Sequence, residues 1–252
     1  MTLEVYTAPG HVAMRVTAKM GEPIVYKEDG IHFDGILARG AFLDLSPEER
    51  AAMPPIDTVD FPRDIAMPLS RWSVAPTVDA DRRLLAPRSE LGGQGDEPRL
   101  WGWVASCASD DAWFGRGKLE VRKKPALGAM GRYTEDRSAN LSSGHMKAYD
   151  LALPTVLALT VTWYAFGDPA EVQRLLSEHV PAIGAKRNIG SGRVLSWTVE
   201  PIAGDAMSVI VGVGDGRALR RLPAGAAQGS PGRGTIRPPY YHPTRAVVSV
   251  GP

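Results

Sequence analysis

The stretch Thr155-Val-Leu-Ala-Leu-Thr-Val-Thr-Trp-Tyr-Ala-Phe166, followed by Gly167-Asp-Pro-Ala-Glu-Val-Gln-Arg-Leu-Leu176, fixes the local architecture. Leu157, Leu159, Val161, Trp163 and Ala165 alternate with Thr160, Thr162 and Tyr164, which predicts a strand with one buried face. Gly167 ends it. Asp168 then supplies an N-cap, Pro169 the first helical position, and Glu171 a side chain able to reach back to the cap. Val172, Leu175, Leu176 and Val180 recur at helical spacing, and Pro181 stops the helix. Next comes the glycine-rich Ile183-Gly-Ala-Lys-Arg-Asn-Ile-Gly-Ser-Gly-Arg193. Val194–Glu200 then alternates again, with Leu195, Trp197 and Val199 expected on one face.

A second unit lies near the N-terminus. Val12, Met14, Val16 and Ala18 alternate with Ala13, Arg15, Thr17 and Lys19, and 32–45 reads as a helix with Phe33, Ile36, Leu37 and Ala41 in its apolar stripe. Strand-like pieces follow at 64–72 (an edge strand, because Pro68 lies inside it), 99–106 and 118–124. Two strand–helix–strand units in a mixed chain predict an α+β protein with a ferredoxin-like sheet and helices on one face. That domain would occupy residues 1–200, with a protruding insertion at about 113–150. The segment 201–252, rich in Gly, Pro and Ala, reads as a C-terminal extension that is extended or loosely ordered in isolation. The six tryptophans read mainly as core residues.

Charge is informative only when divided. The 252 residues carry 29 Lys and Arg against 28 Asp and Glu. Residues 1–112 hold 11 basic and 18 acidic side chains, and residues 113–252 hold 18 and 10. The C-terminal half is built to face an anion or the N-terminal half. The acidic half, including Glu48, Glu49, Asp79 and Asp81, is then a candidate docking surface for a basic neighbour. Several function classes drop out. The five histidines are scattered and Cys107 is the one cysteine, so zinc-ligand spacing and an intrachain disulfide are both missing. No phosphate-binding GxxxxGK[ST] occurs. No metal or cofactor is expected. Met1-Thr-Leu-Glu-Val-Tyr6 lacks a basic-then-apolar targeting pattern, so the expectation is a cytoplasmic protein with no membrane association.

The glycine-rich loop concentrates the candidate chemistry. Gly184, Gly190 and Gly192 permit positive φ and exposed N–H groups, while Lys186, Arg187 and Arg193 bring charge to where a phosphate would lie. The loop follows a helix and precedes a strand, unlike the dinucleotide fingerprint. A tight connection with solvated charges is the plain alternative. Residues 113–147 add Arg122, Lys123, Lys124, Arg132 and Lys147, and the acid-free tail adds Arg237 beside Tyr240 and Tyr241. Arginine and lysine for phosphates, with tyrosine for stacking, is the combination single-stranded RNA requires. Metal-free RNA cleavage would need acid–base groups, for which His32 and His145 are the candidates. Packing or surface roles compete for both.

A basic glycine-rich loop between the last helix and last strand of such a unit resembles the signature of the repeat-associated RNA-binding (RAMP) superfamily of CRISPR systems. His32-Phe-Asp-Gly-Ile-Leu-Ala38 is similar to the opening of that superfamily's first helix. Trp163–Leu176 running into Ile183–Val194, with Arg221-Leu-Pro223 and Arg237-Pro-Pro-Tyr-Tyr241, resembles the backbone subunit that caps the CRISPR RNA (crRNA) 5′ end in type IV effector complexes. The resemblance implies an RNA-recognition-type fold, a basic thumb within 113–147, and non-catalytic binding of the crRNA 5′ handle. It also implies assembly with repeating backbone subunits and a large subunit. Two rivals remain: a metal-independent crRNA-processing endoribonuclease on the same fold, and a metabolic or scaffold protein whose basic half docks an acidic neighbour.

Overall fold

The computed structural model describes residues 1–25, 30–53, 64–109, 113–123, 149–240 and 246–252. In chain order these form β1 (Glu4–Tyr6), β2 (Val12–Met20), β3 (Ile24–Val25), α1 (Phe33–Asp44), α2 (Pro47–Ala51), β4 (Arg71–Val74) and β5 (Leu85–Pro87). They continue as α3 (Arg88–Leu91), β6 (Pro98–Trp103), β7 (Trp113–Lys123), β8 (Tyr149–Ala158), β9 (Thr160–Gly167), α4 (Pro169–His179) and β10 (Val194–Pro201). The last three strands are β11 (Leu222–Pro223), β12 (Ser230–Thr235) and β13 (Ala246–Gly251). The protein is thus α+β, strand-rich, with several antiparallel sheets.

The central sheet runs β10-β2-β9. Beyond β9 the chain 104–109 continues it, with Ala105 opposite Ala165 and Ser109 opposite Thr162. Ser106 N and Ser109 N each donate across that edge at 2.8 Å, to Tyr164 O and Thr162 O. The period-two apolar set on β2 and β9 (Met14, Val16, Ala18, Val161, Trp163 and Ala165) is buried against Phe33, Leu37 and Ala41 of α1 and Val172, Leu175 and Leu176 of α4. Asp168 Oδ1 caps α4 by accepting from Ala170 N at 2.9 Å and Glu171 N at 3.2 Å. The Glu171 carboxylate turns to Arg174 at 2.7 Å, because a guanidinium one turn along offers a charged donor.

Three expectations need correction. The run Thr155–Phe166 is not one strand. It breaks at Leu159, whose carbonyl accepts from Met20 N and whose side chain is 70% exposed, and β8 leaves the central sheet to pair with β3 and β7. In β10 the register shifts between Val194 and Ser196, so Val194, Trp197 and Val199 pack inward while Leu195 is exposed. An extra residue in one strand reverses the alternation locally. Finally, β4 starts only after Pro68. It therefore lies inside the sheet β1-β4-β6-β5 with no proline in its ladder, where an edge position was expected.

Residues 201–240 and 246–252 complete a second core. Ile210, Leu222, Ile236 and Val247 pack with Trp72, Val74, Leu84 and Leu100, and β11-β13-β12 forms their sheet. Two arginines pin this region to the rest. Arg220 is fully buried, pairs with Asp34 at 3.1 Å, and donates to the carbonyls of Trp103, Ala105 and Ile236. Arg237 makes a two-pronged pair with Asp64 at 3.1 and 3.0 Å and donates to Leu84 O and Trp101 O. Arg233 reaches Asp79 at 3.0 Å. Much of the division of charge between the halves is therefore satisfied inside the chain. Among the described residues no helix is long and apolar enough to cross a membrane.

Candidate nucleic-acid interface

β3 is the joint on which the candidate interface is built. One side pairs with β8, so it carries the β7–β8 hairpin; the other side receives the glycine-rich loop through a bridge from Val25 to Ala185. Ala185 N donates to Val25 O and Gly192 N to Pro23 O, each at 2.8 Å. The Ser191 hydroxyl donates to Pro23 O at 3.0 Å and accepts from Val25 N at 3.1 Å. These bonds satisfy the main chain of the loop's two ends and leave its tip, including a short 3-10 turn at Arg187–Ile189, facing solvent.

The glycines divide by role. A Cβ on Gly184 would lie 2.5 Å from Val25 O, and one on Gly192 would lie 1.9 Å from Ile183 O; both residues have positive φ. They let backbone pack on backbone. Gly190, at φ +91°, has open space around it and is the glycine free to admit a ligand. Lys186 holds φ 58°, a left-handed conformation rare for a side-chain-bearing residue and worth about 1–2 kcal/mol of strain.

Loop and hairpin enclose a groove of ≈ 430 Å³. Lys118, Leu119 and Thr155 line it from the hairpin; Ile189, Gly190, Ser191 and Arg193 line it from the loop, and Glu22 and Pro23 from the segment before β3. Neither Lys118 nor Arg193 has a salt bridge among the described residues. Arg187 behaves similarly: partial burial and the neighbouring guanidinium of Arg39 on α1 both lower its pKa. Two guanidiniums in mutual repulsion, plus a lysine and a third arginine on a groove, form a field that an anion would relieve.

Other expected contacts fall elsewhere. Arg122 is exposed but held by Asp150 at 2.9 Å and Glu120 at 3.8 Å, which reduces its charge toward a ligand. Lys123 lies opposite Tyr149 on the hairpin. Lys124, Arg132, His145, Lys147 and Tyr241 lie outside the described residues. Arg237, expected at RNA, is 1% exposed, with its guanidinium 4.3 Å above the Trp101 ring. Tyr240, expected to stack on a base, stacks instead on His32 at 4.1 Å and donates its hydroxyl to Asp34 at 2.6 Å. Burial, with Asp34 adding to it and Arg220 opposing it, raises the pKa of that phenol. Both residues depart from expectation because Asp64 and the buried Asp34 claim them.

His32 belongs to the same cluster. It is 8% exposed, with Nδ1 3.2 Å from Cys107 Sγ. Burial pushes the Cys107 thiol up to about 12, Arg220 opposing and Asp34 reinforcing. A general acid or base must come within hydrogen-bond reach of its substrate, and this ring is sealed between Cys107 and Tyr240. Asp44, Glu178 and His179 bring three ligand-type atoms together, but Arg174 already holds both Asp44 oxygens, at 2.9 and 2.8 Å.

Two basic residues of the interface were missed as individual candidates. Lys118 could have been found from the alternation of Arg116, Lys118 and Arg122 along one strand face. Arg39 lies outside the apolar stripe of α1, and only the tertiary fold brings it near the loop.

A search of curated proteins finds no match to the chain. A family model described as CRISPR type IV associated protein Csf3 matches residues 107–251, which span both walls of the groove and the whole C-terminal sheet. More than half of the sequence falls within that match, and the chain belongs to the Csf3 family of type IV CRISPR-associated proteins.

Proposed function

We propose that this chain is a non-catalytic RNA-binding subunit of a type IV CRISPR ribonucleoprotein that holds the crRNA 5′ handle in the groove between the glycine-rich loop and the β7–β8 hairpin. One observation carries this reading: Lys118 and Arg193, without a carboxylate pair among the described residues, face a common groove large enough for a nucleotide. The order β2, α1, chain 104–109, β9, α4, β10, with β2 and β9 central, supports a ferredoxin-like reading of the main sheet. β7 and β8, which pair with β3 and flank residues 124–148, are taken as the base of the thumb in this reading. Repeating backbone subunits and a large subunit are the protein partners in this reading, and the cytoplasm is its compartment.

The test uses the full chain and repeat-derived RNA containing the handle. Lys118→Ala/Arg193→Ala is expected to weaken binding at least about tenfold. It should also flatten the log–log salt dependence by about 1.4, the contribution of two single-strand phosphate contacts at about 0.7 each. Unchanged affinity and slope would reject the groove. The same RNA incubated with the protein in EDTA should remain intact; specific cleavage would establish the endoribonuclease reading instead.

A further inference from the structure

Among the described residues, one half of the central sheet is open on its second face, where Arg15, Lys19, Tyr164, Thr198 and Glu200 are exposed. On the face away from α1 and α4, Ala13 and Phe166 are covered by the second core through Ile202, Ala206 and Val209. Among the described residues the cover ends there. The next rung is Tyr164–Arg15–Glu200, read across β9, β2 and β10; the one after is Thr162–Thr17–Thr198; the third contains Lys19. Successive rungs on one face are about 7 Å apart, two residues of strand rise.

The chemistry of this face is specific. Arg15 is held in place by Glu200, with Nη2 2.6 Å from the carboxylate. Directly across from Arg15, Tyr164 is 37% exposed, and its hydroxyl makes no hydrogen bond among the described residues. Lys19 has no salt bridge among the described residues, and it lies two residues before Gly21, whose N–H donates to Arg193 O at the groove. Apart from Tyr164 these rungs carry hydroxyls and charges, and the exposed Leu195 lies at the Lys19 end of β10, away from Tyr164, so apolar groups are not gathered into the kind of centre found in protein interfaces. An exposed ring with basic side chains beside it, on an open sheet, is a platform for an unstacked base.

We propose that the open half of the sheet is a second RNA-contacting surface, on which Tyr164 stacks a base of single-stranded RNA leaving the groove past Lys19. This inference rests on the groove reading for its direction. The experiment measures binding of a short oligouridylate, sized to the groove alone, and a long one that can also cross the sheet. Tyr164→Ala should weaken the long probe about 5- to 150-fold, the range for one lost base stack, and leave the short one unchanged. Tyr164→Phe should bind as the parent protein does, since the hydroxyl is not needed for stacking. The proposal is overturned if Tyr164→Ala leaves the long probe unaffected, or weakens both probes equally. Loss of binding to a neighbouring protein subunit with RNA affinity intact would overturn it too. The Lys118→Ala/Arg193→Ala variant should weaken both lengths; if it weakens neither while Tyr164→Ala still acts, the groove reading fails and the platform stands.

Discussion

Alanine in place of Asp34 is expected to remove about 3–5 kcal/mol of folding stability, because it leaves a buried guanidinium without its counter-charge. Asp34 is 0% exposed, accepts from Tyr240 at 2.6 Å and Gly35 N at 3.0 Å, and pairs with Arg220 at 3.1 Å. Burial alone would lower the pKa of Arg220; the Asp34 carboxylate reverses this and raises it, so the ion pair is maintained in the interior. The substitution also removes the acceptor of the Tyr240 hydroxyl, which keeps only its bond from Arg220 at 3.0 Å, and loosens its stacking on His32. A fall in melting midpoint on the order of 10 °C is expected for a chain of this size. A shift below about 2 °C in thermal denaturation would show that the cluster does not pin the C-terminal sheet to α1.

Gly192→Ala is expected to be the most damaging substitution in the loop. The new Cβ would meet Ile183 O at 1.9 Å, and that segment cannot easily retreat, because Ile183 N donates to Gly192 O at 2.9 Å. Adding the cost of the left-handed backbone, the loss should exceed about 3 kcal/mol, at the upper end for single substitutions. Gly190→Ala provides the contrast. Its φ is also positive but nothing lies within 4 Å, so only the conformational cost of about 1–2 kcal/mol applies. Denaturant midpoints measure both. Equal losses would contradict the division of the glycines into packing and open positions.

The parts legible in the sequence are those decided within a few residues. The Asp168 cap, the stripe Val172–Leu175–Leu176 and the alternation of β2 all appear where the local pattern puts them. What the pattern could not show depends on partners far along the chain. Leu159 breaks a regular alternation because β8 finds β7, and the slip at Leu195 reverses a face that composition alone would bury. The largest difference concerns charge. Arg220, Arg233 and Arg237 look like a basic tail in one dimension, yet Asp34, Asp79 and Asp64 claim them in three. The same pairing weakens the acidic docking surface expected on the N-terminal half. Asp79 holds Arg233 and Val248 N, Asp81 holds Arg83, and Glu49 closes the cap of α2 with Ser46. Of the expected contacts, Lys186, Arg187, Gly190, Arg193 and the hairpin remain where an RNA could reach them, joined by Lys118, which only its strand position distinguishes.

Cross-linking locates the RNA on the protein surface directly. The full chain would be bound to handle RNA carrying 4-thiouridine, irradiated, digested and mapped by mass spectrometry. Cross-links are expected in peptides containing Lys118–Leu119 and Ile189–Arg193, the two walls of the groove. Cross-links confined to β11–β13 or to the outer faces of α1 and α4, with both walls unmodified, would contradict the assignment.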